Sequence, residues 1–128
     1  MTEAAKLKVL IIENDPDYAK KLKSALANDG FDVMLAADGT AGVEIMANTP
    51  RGFNAVVLNN ALPDMNGLDV LTVLKSPASR VTDVPVIMVA NDLSAEQAEE
   101  AKSIGAHACL SDREEILPAL NAALNRQK

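Results

Sequence analysis

The sequence predicts an α/β fold in which a five-stranded parallel sheet is covered on both faces by five helices. Short apolar runs alternate with segments of helical periodicity along the 128 residues. The apolar runs are continuous rather than alternating, which is typical of strands buried on both faces. Short connections containing Gly or Pro separate the segments. The length suits one domain, and we expect residues 1–128 to form it.

The first three elements are a strand, a helix and a strand. Lys8–Ile12 is a short run rich in β-branched residues, which predicts a buried strand. Asp15 then offers a capping side chain, and Pro16 stands at the first helical position. Apolar residues at helical spacing continue to Gly30, which ends the helix. Phe31–Ala36 is the second predicted strand.

The middle of the chain repeats the pattern. Ala41–Ala47 is predicted as a short helix, and Ala55–Leu58 as the third strand. A third helix carries leucines at helical spacing and stops before a proline; these residues are Leu68, Leu71, Leu74 and Pro77.

Pro85–Ala90 is the fourth predicted strand. Ser94 with Gln97 three residues later forms a capping box for a helix over Ala95–Ile104. That helix carries nothing larger than Ala on its apolar side before Ile104, so we expect it to be the most mobile element.

Ala108–Leu110 is the fifth predicted strand, and an amphipathic helix follows it. Asp112 with Glu115 resembles a second capping pair for this last helix. Pro118 fits a helix interior poorly, so the helix either begins near Pro118 or has a kinked first turn.

Composition excludes several classes of function. The net charge is −6 and aromatic residues make up 2% of the chain, so a nucleic-acid-binding surface is not expected. Cys109 is the only cysteine, which excludes an intrachain disulfide and a cysteine-based metal site. No signal peptide or membrane span is visible, so we expect a soluble cytoplasmic protein. The core must be aliphatic, with Met34, Met46 and Met88 among its fillers.

The loop after the third strand is the candidate functional site. Two adjacent amides, Asn59 and Asn60, follow the strand, and Pro63 and Gly67 shape the turn. Ligands of open α/β sheets bind at the carboxyl ends of the strands. The functional interpretation therefore depends mostly on the side chain at position 59.

Four stretches together resemble the receiver domain of bacterial response regulators, the CheY-like family. They are Lys8–Pro16, Asn59 with Leu62–Gly67, Val84–Val89, and Gly105 with Ala106. The resemblance covers nearly the whole chain. It implies a doubly wound, flavodoxin-like sheet with strand order 2-1-3-4-5.

The resemblance also implies where the family's functional residues would lie. The phosphoacceptor Asp position holds Asn59, and the alternative assignment, Asn60, is an amide too. The other family positions are an acidic pair for Mg²⁺, a Thr or Ser, a Lys and a switching aromatic. They correspond here to Glu13 and Asn14, Ala90, Asp112 (followed by Arg113) and Cys109, respectively.

These replacements predict a degenerate receiver that works as a phosphorylation-independent interaction module. We expect no enzymatic activity, no cofactor, no bound metal, and no nucleic-acid or membrane partner. By resemblance, a signalling protein would bind a face formed by Ala95–Ile104, Ala106–Leu110 and Arg113–Asn125, and a homodimer is possible.

Two alternatives remain open at this point. One is a phosphorylatable receiver that uses a displaced carboxylate, from Asp15, Asp64 or Asp112. Against it, Asp15 is expected to cap a helix and Asp64 to be solvated. The other alternative is a small-molecule sensor that reuses the crevice at the strand ends.

Overall fold

The fold is the predicted five-stranded parallel sheet, with strand order β2-β1-β3-β4-β5. The computed structural model describes residues 7–48, 52–76, 83–90, 94–111 and 113–124, with the backbone alone at Arg113. In this arrangement β1, β3 and β4 are central, and β2 and β5 are the edges.

The strands lie close to their predicted positions. They are β1 Lys8–Ile12, β2 Asp32–Ala36, β3 Ala55–Asn59, β4 Val86–Val89 and β5 Ala108–Leu110. β3 is one residue longer than predicted, so Asn59 is the last residue of a central strand. Phe31 precedes β2 rather than belonging to it, and its side chain is buried.

Five α-helices connect or follow the strands. They are α1 Pro16–Asn28, α2 Gly39–Asn48, α3 Gly67–Leu74, α4 Ala95–Ile104 and α5 Ile116–Ala123. α2 begins two residues earlier than predicted. A 3₁₀ helix, Arg113–Glu115, leads into α5, so Pro118 lies in the first helical turn, where a missing N–H costs no hydrogen bond. Pro77 and Asp112 lie outside the described residues.

The core forms one apolar cluster on each face of the sheet. Along β1, Leu10 and Ile12 pack into one cluster with α2 and α3, whereas Val9 and Ile11 pack into the other with α1 and α5. All four side chains are fully buried. This two-sided burial explains why the strands read as continuous apolar runs.

One core prediction is wrong. Met46 and Met88 are buried, as predicted, but the side chain of Met34 is 49% exposed. Met34 is the central residue of β2, and β2 is an edge strand with a neighbouring strand on one side only. None of the helices in the described ranges is long and apolar enough to span a membrane.

Candidate functional site

The candidate site lies where β1, β3 and β4 end. Glu13 follows β1, Asn59 ends β3, and Ala90 follows β4. The strand register places Asn59 opposite Val89, one residue before Ala90. The parallel sheet thus brings residues from three distant parts of the sequence to one edge.

Glu13 and Asn59 are joined by a hydrogen bond. Nδ2 of Asn59 donates to Oε2 of Glu13 at 3.0 Å, and the backbone N–H of Asp15 donates to the same oxygen at 3.0 Å. Glu13 is the only charged residue that is buried in the described part of the chain. These two donors satisfy its buried carboxylate oxygen.

The amide of Asn59 also contacts its own loop. Its Oδ1 accepts the backbone N–H of Ala61 at 3.3 Å. Asn59 therefore donates a hydrogen bond to Glu13, the residue after β1, and accepts one from the backbone of the β3–α3 loop. A carboxylate at this position would accept only, since it has no proton to donate.

Asn14 completes a group of amides around Glu13. The side chain suits its surroundings when its nitrogen rather than its oxygen faces the pocket. That nitrogen then lies 3.0 Å from the carbonyl oxygen of Ala61 and 3.2 Å from Oε2 of Glu13. The second position of the predicted acidic pair is thus also a hydrogen-bond donor.

These residues do not fit a Mg²⁺ site. Mg²⁺ requires hard oxygen ligands in near-octahedral geometry. Among the described residues at these strand ends, Glu13 carries a carboxylate whereas Asn14 and Asn59 carry amides, and the nitrogen of Asn59 lies 3.0 Å from Oε2 of Glu13. No group of three or more His, Cys, Asp or Glu side chains suited to a metal occurs among the described residues.

Two acidic residues near the site cap helices. Asp15 is the N-cap of α1, as predicted, and accepts the backbone N–H groups of Asp17 and Tyr18. Asp64 is exposed in the loop, as predicted, but its carboxylate also holds the N-terminus of α2. It accepts the N–H of Gly39 at 2.9 Å and the N–H of Thr40 at 2.8 Å, together with the hydroxyl of Thr40.

The contacts of Asp64 were not visible in the sequence. Asp64 is 24 residues from Thr40, and no local pattern links them. The hydrogen bond from the Thr40 hydroxyl is the largest of the effects that lower the pKa of Asp64 from 3.8 to about 2. The carboxylate therefore stays ionised while it holds α2 against the loop.

The loop between β3 and α3 is closed by its own backbone. The N–H of Gly67 donates to the carbonyl oxygen of Asn60 at 2.9 Å, and Asn66 caps α3 by accepting the N–H of Asp69. A Cβ atom on Gly67 would lie 2.8 Å from Cα of Asn60. Only glycine permits this approach, so Gly67 sets the loop shape, as predicted.

The remaining predicted positions are only partly described. Ala90 is buried, and its N–H donates to the carbonyl oxygen of Leu110 at 2.9 Å. Cys109 is half-buried in β5 with Sγ 3.8 Å from the carbonyl oxygen of Ala98, and burial raises the pKa of its thiol. Asp112 and the side chain of Arg113 lie outside the described residues.

Comparisons with known proteins identify relatives of nearly the whole chain. The chain is similar to the Mycobacterium tuberculosis probable transcriptional regulatory protein TcrX, with 33% identity over 92% of the chain and 50% of that protein. It is 28% identical to the response regulator MprA of a Mycobacterium species over 94% of the chain and 51% of that protein. The chain thus spans about half the length of the curated relatives it matches.

Solved structures share the fold. The chemotaxis protein CheY4 of Vibrio cholerae superposes with a TM-score of 0.83 at 23% identity, over 94% of this chain and 100% of that one. A receiver domain from Clostridium thermocellum gives 0.84 at 24% identity, over 93% and 94%. The sequence model of the response regulator receiver domain matches residues 9–121, so the chain belongs to the response regulator receiver domain family.

Proposed function

We propose that this receiver domain is a pseudo-receiver, a protein-interaction module of two-component signalling whose output does not depend on phosphorylation of its own pocket. The observation that carries the proposal is the 3.0 Å hydrogen bond from the amide of Asn59 to Glu13. Phosphoryl transfer to a receiver requires a carboxylate nucleophile, and an amide oxygen is far weaker. The domain has no enzymatic activity under this proposal.

The electrostatics of the pocket support the same conclusion. A buried carboxylate needs a partner, and Glu13 has amide and backbone donors in place of a metal ion. Under this proposal the pocket requires neither Mg²⁺ nor a buried lysine. Loss of the phosphoacceptor and loss of the metal site thus have one physical cause, the exchange of carboxylates for amides.

Ala90, the last described residue at the end of β4, offers no donor to a phosphoryl group. Ala90 has no hydroxyl, and its backbone N–H is already bonded to the carbonyl oxygen of Leu110. Restoring a carboxylate at position 59 would therefore leave the phosphoryl oxygens without this partner.

A displaced phosphoacceptor is less favoured by the contacts. The carboxylates of Asp15 and Asp64 each hold the N-terminus of a helix, and the lowered pKa of Asp64 makes it a weaker nucleophile. Asp112, the third candidate, lies outside the described residues. The small-molecule alternative has no specific observation in its favour.

The proposed interaction surface is the face formed by Ala95–Ile104, Ala106–Leu110 and Arg113–Asn125, for a signalling protein rather than for nucleic acid or a membrane. Supporting this, α4 buries only Ala101 and exposes Glu96, Glu99 and Glu100. The side chain of Arg113 and residue Asn125 lie outside the described residues. A cytoplasmic location belongs to the same proposal.

The direct test is treatment with acetyl phosphate and Mg²⁺, followed by intact mass spectrometry. We expect no phosphoadduct on the native chain and none on Asn59→Asp, while a receiver with an intact Asp site is modified in parallel. A stoichiometric adduct on the native chain would overturn the proposal. An adduct on Asn59→Asp alone would show that only the nucleophile is missing.

Partner binding is tested separately. The domain is used as bait before and after phosphodonor treatment, and we expect the same partner to be recovered in both cases. Glu100→Lys on α4 should reduce recovery, whereas Glu44→Lys, the same charge change at an exposed position of α2, should not. Recovery that requires the phosphodonor would contradict phosphorylation independence.

A further inference from the structure

On the outer edge of β2, the backbone N–H and C=O groups are not hydrogen-bonded to any described strand. The N–H of Asp32 donates to Leu7, and the N–H of Glu13 donates to Ala36, both at 2.9 Å. In a parallel ladder alternate residues bond to the same neighbour, so positions 32, 34 and 36 face β1. Val33 and Leu35 therefore direct their N–H and C=O groups away from the sheet.

The side chains of β2 do not protect this edge. Natural edge strands are usually shielded by lysine, proline, a bulge or a covering segment. From Val33 to Ala36 the strand has no charge and no proline, and its central residue, Met34, is 49% exposed. The only charge is Asp32, at the start of the strand.

We propose that β2 pairs with β2 of a second copy of this chain, antiparallel and about a two-fold axis at Met34. In that register Val33 lies opposite Leu35 of the second copy, and Leu35 lies opposite Val33 of the second copy. Both are hydrogen-bonded pairs, so all four outward groups on each strand are used. A two-fold interface must be self-complementary, and this edge meets that requirement.

The side chains fit the same register. The two Met34 residues form a non-hydrogen-bonded pair, in which the side chains approach most closely. Beside Met34 is a cavity of about 120 Å³ with a mainly apolar surface, which Val33 and Phe53 line together with Lys8 and Asp32. A second hollow runs along Ala41, Glu44 and Ile45 of α2. A flexible methionine from the second copy can fill such irregular apolar space.

Charges do not oppose the pairing locally. Asp32 lies opposite Ala36 of the second copy, and the two Asp32 residues are four positions apart along the ladder, about 13 Å. That exceeds a screening length of about 10 Å at 0.1 M salt. Each copy carries a net charge of −6, so the association strengthens as salt is raised. With five residues a side, the interface is small and the dimer is weak.

The test is sedimentation of the full chain from ~10 µM to ~1 mM at ~0.15 M salt. We expect the average mass of the native chain to rise toward that of a dimer. Met34→Lys should remain monomeric throughout, because two lysines would meet on the axis. Val73→Lys is the matched control: Val73, on α3, is 44% exposed, the change in charge is identical, and association should persist.

Amide exchange distinguishes this dimer from one that forms through another face of the domain. In the concentrated sample the amides of Val33 and Leu35 should exchange at least about tenfold more slowly than in the dilute sample. The amide of Met34, already bonded to β1, should change little. Any of three results would overturn the proposal: the native chain is monomeric at ~1 mM, Met34→Lys associates as the native chain does, or Val73→Lys loses as much association as Met34→Lys. None of these outcomes bears on phosphorylation of the pocket.

Discussion

Asn59 can donate a hydrogen bond from its side chain, which an aspartate at the same position could not do. The donated hydrogen bond to Oε2 of Glu13 is 3.0 Å long. It ties the end of β3 to the residue that follows β1. The carboxylate of Glu13 thus accepts hydrogen bonds from the amide of Asn59 and from the backbone N–H of Asp15.

Asn59→Asp should destabilise the domain. The variant places a second carboxylate beside Glu13 and removes a donor, at a cost of about 1–3 kcal/mol in unfolding free energy at pH 7. Two adjacent ionised carboxylates repel each other in the folded state, so the deficit in unfolding free energy should shrink as pH falls toward ~4. Urea unfolding at several pH values measures this.

Asn54→Asp provides the control. Asn54 precedes β3 at its other end, and its Oδ1 accepts the N–H of Lys8 at 2.8 Å, which an aspartate would preserve. The charge change is the same, yet little stability should be lost. Equal losses in the two variants would mean that net charge, and not the contact with Glu13, is responsible.

The lowered pKa of Asp64 predicts how the stability of the domain changes in acid. Its pKa is lowered from 3.8 to about 2 in the folded state, so its contribution to stability is fully present above pH ~3.8 and is lost as pH falls through about 2. The difference in stability between the native chain and Asp64→Asn should therefore be constant above pH ~4 and shrink below it. Acid titrations followed by circular dichroism measure it.

The matched control is Asp69→Asn. Asp69 is an exposed acid in the first turn of α3, where it favours the helix N-terminus as Asp64 favours that of α2. The hydroxyl of the nearby Thr72 donates to the carbonyl oxygen of Leu68 rather than to Asp69. Asp69→Asn should therefore leave the loss of stability below pH ~4 close to that of the native chain. If both variants change the loss of stability below pH ~4 equally, the hydrogen bond from Thr40 is not the cause of that loss.

At the scale of elements, α4 has the weakest attachment to the core. It buries only Ala101, whereas α1 buries Ala19, Leu22 and Leu26. The predicted capping box is present: the hydroxyl of Ser94 accepts the N–H of Gln97, and the side chain of Gln97 accepts the N–H of Ser94. The helix is thus held at its N-terminus by local bonds more than by packing.

Hydrogen exchange should show this difference directly. Burial of alanine contributes little compared with about 1.5–3 kcal/mol for a large aliphatic side chain. Local opening of α4 therefore costs less than opening of α1, and its amides should exchange faster. Amides of α4 as slow as those of α1 would contradict the expectation.

At the scale of the whole molecule, stability comes from two aliphatic clusters that share the central strands. Leu71 and Val73 lie on one helix, α3, but Leu71 is fully buried and Val73 is 44% exposed. Leu71→Ala should cost about 2–5 kcal/mol. Val73→Ala should stay within about 0.5 kcal/mol. Chemical denaturation of both variants tests whether burial decides the cost.

Much of the fold was predictable because each local pattern agrees with the tertiary structure. The buried runs of β1, β3 and β4 were recognisable by their continuous apolar residues. The cap at Asp15 and the capping box before α4 are local hydrogen bonds, so neighbouring residues suffice to predict them. The early start of α2 was missed although Asp38 caps it locally by accepting the N–H of Ala41. Its second support, Asp64, belongs to another loop and could not be predicted from neighbouring residues.

The sequence by itself determined the class of fold, the order of its elements and the presence of an amide at position 59. The tertiary structure decided which side chains those residues meet. Only the parallel sheet brings Asn59 to Glu13, 46 residues away, and only the edge position of β2 leaves Met34 exposed. Periodicity reports which side of an element is apolar, whereas contacts across the sheet depend on strand order and register.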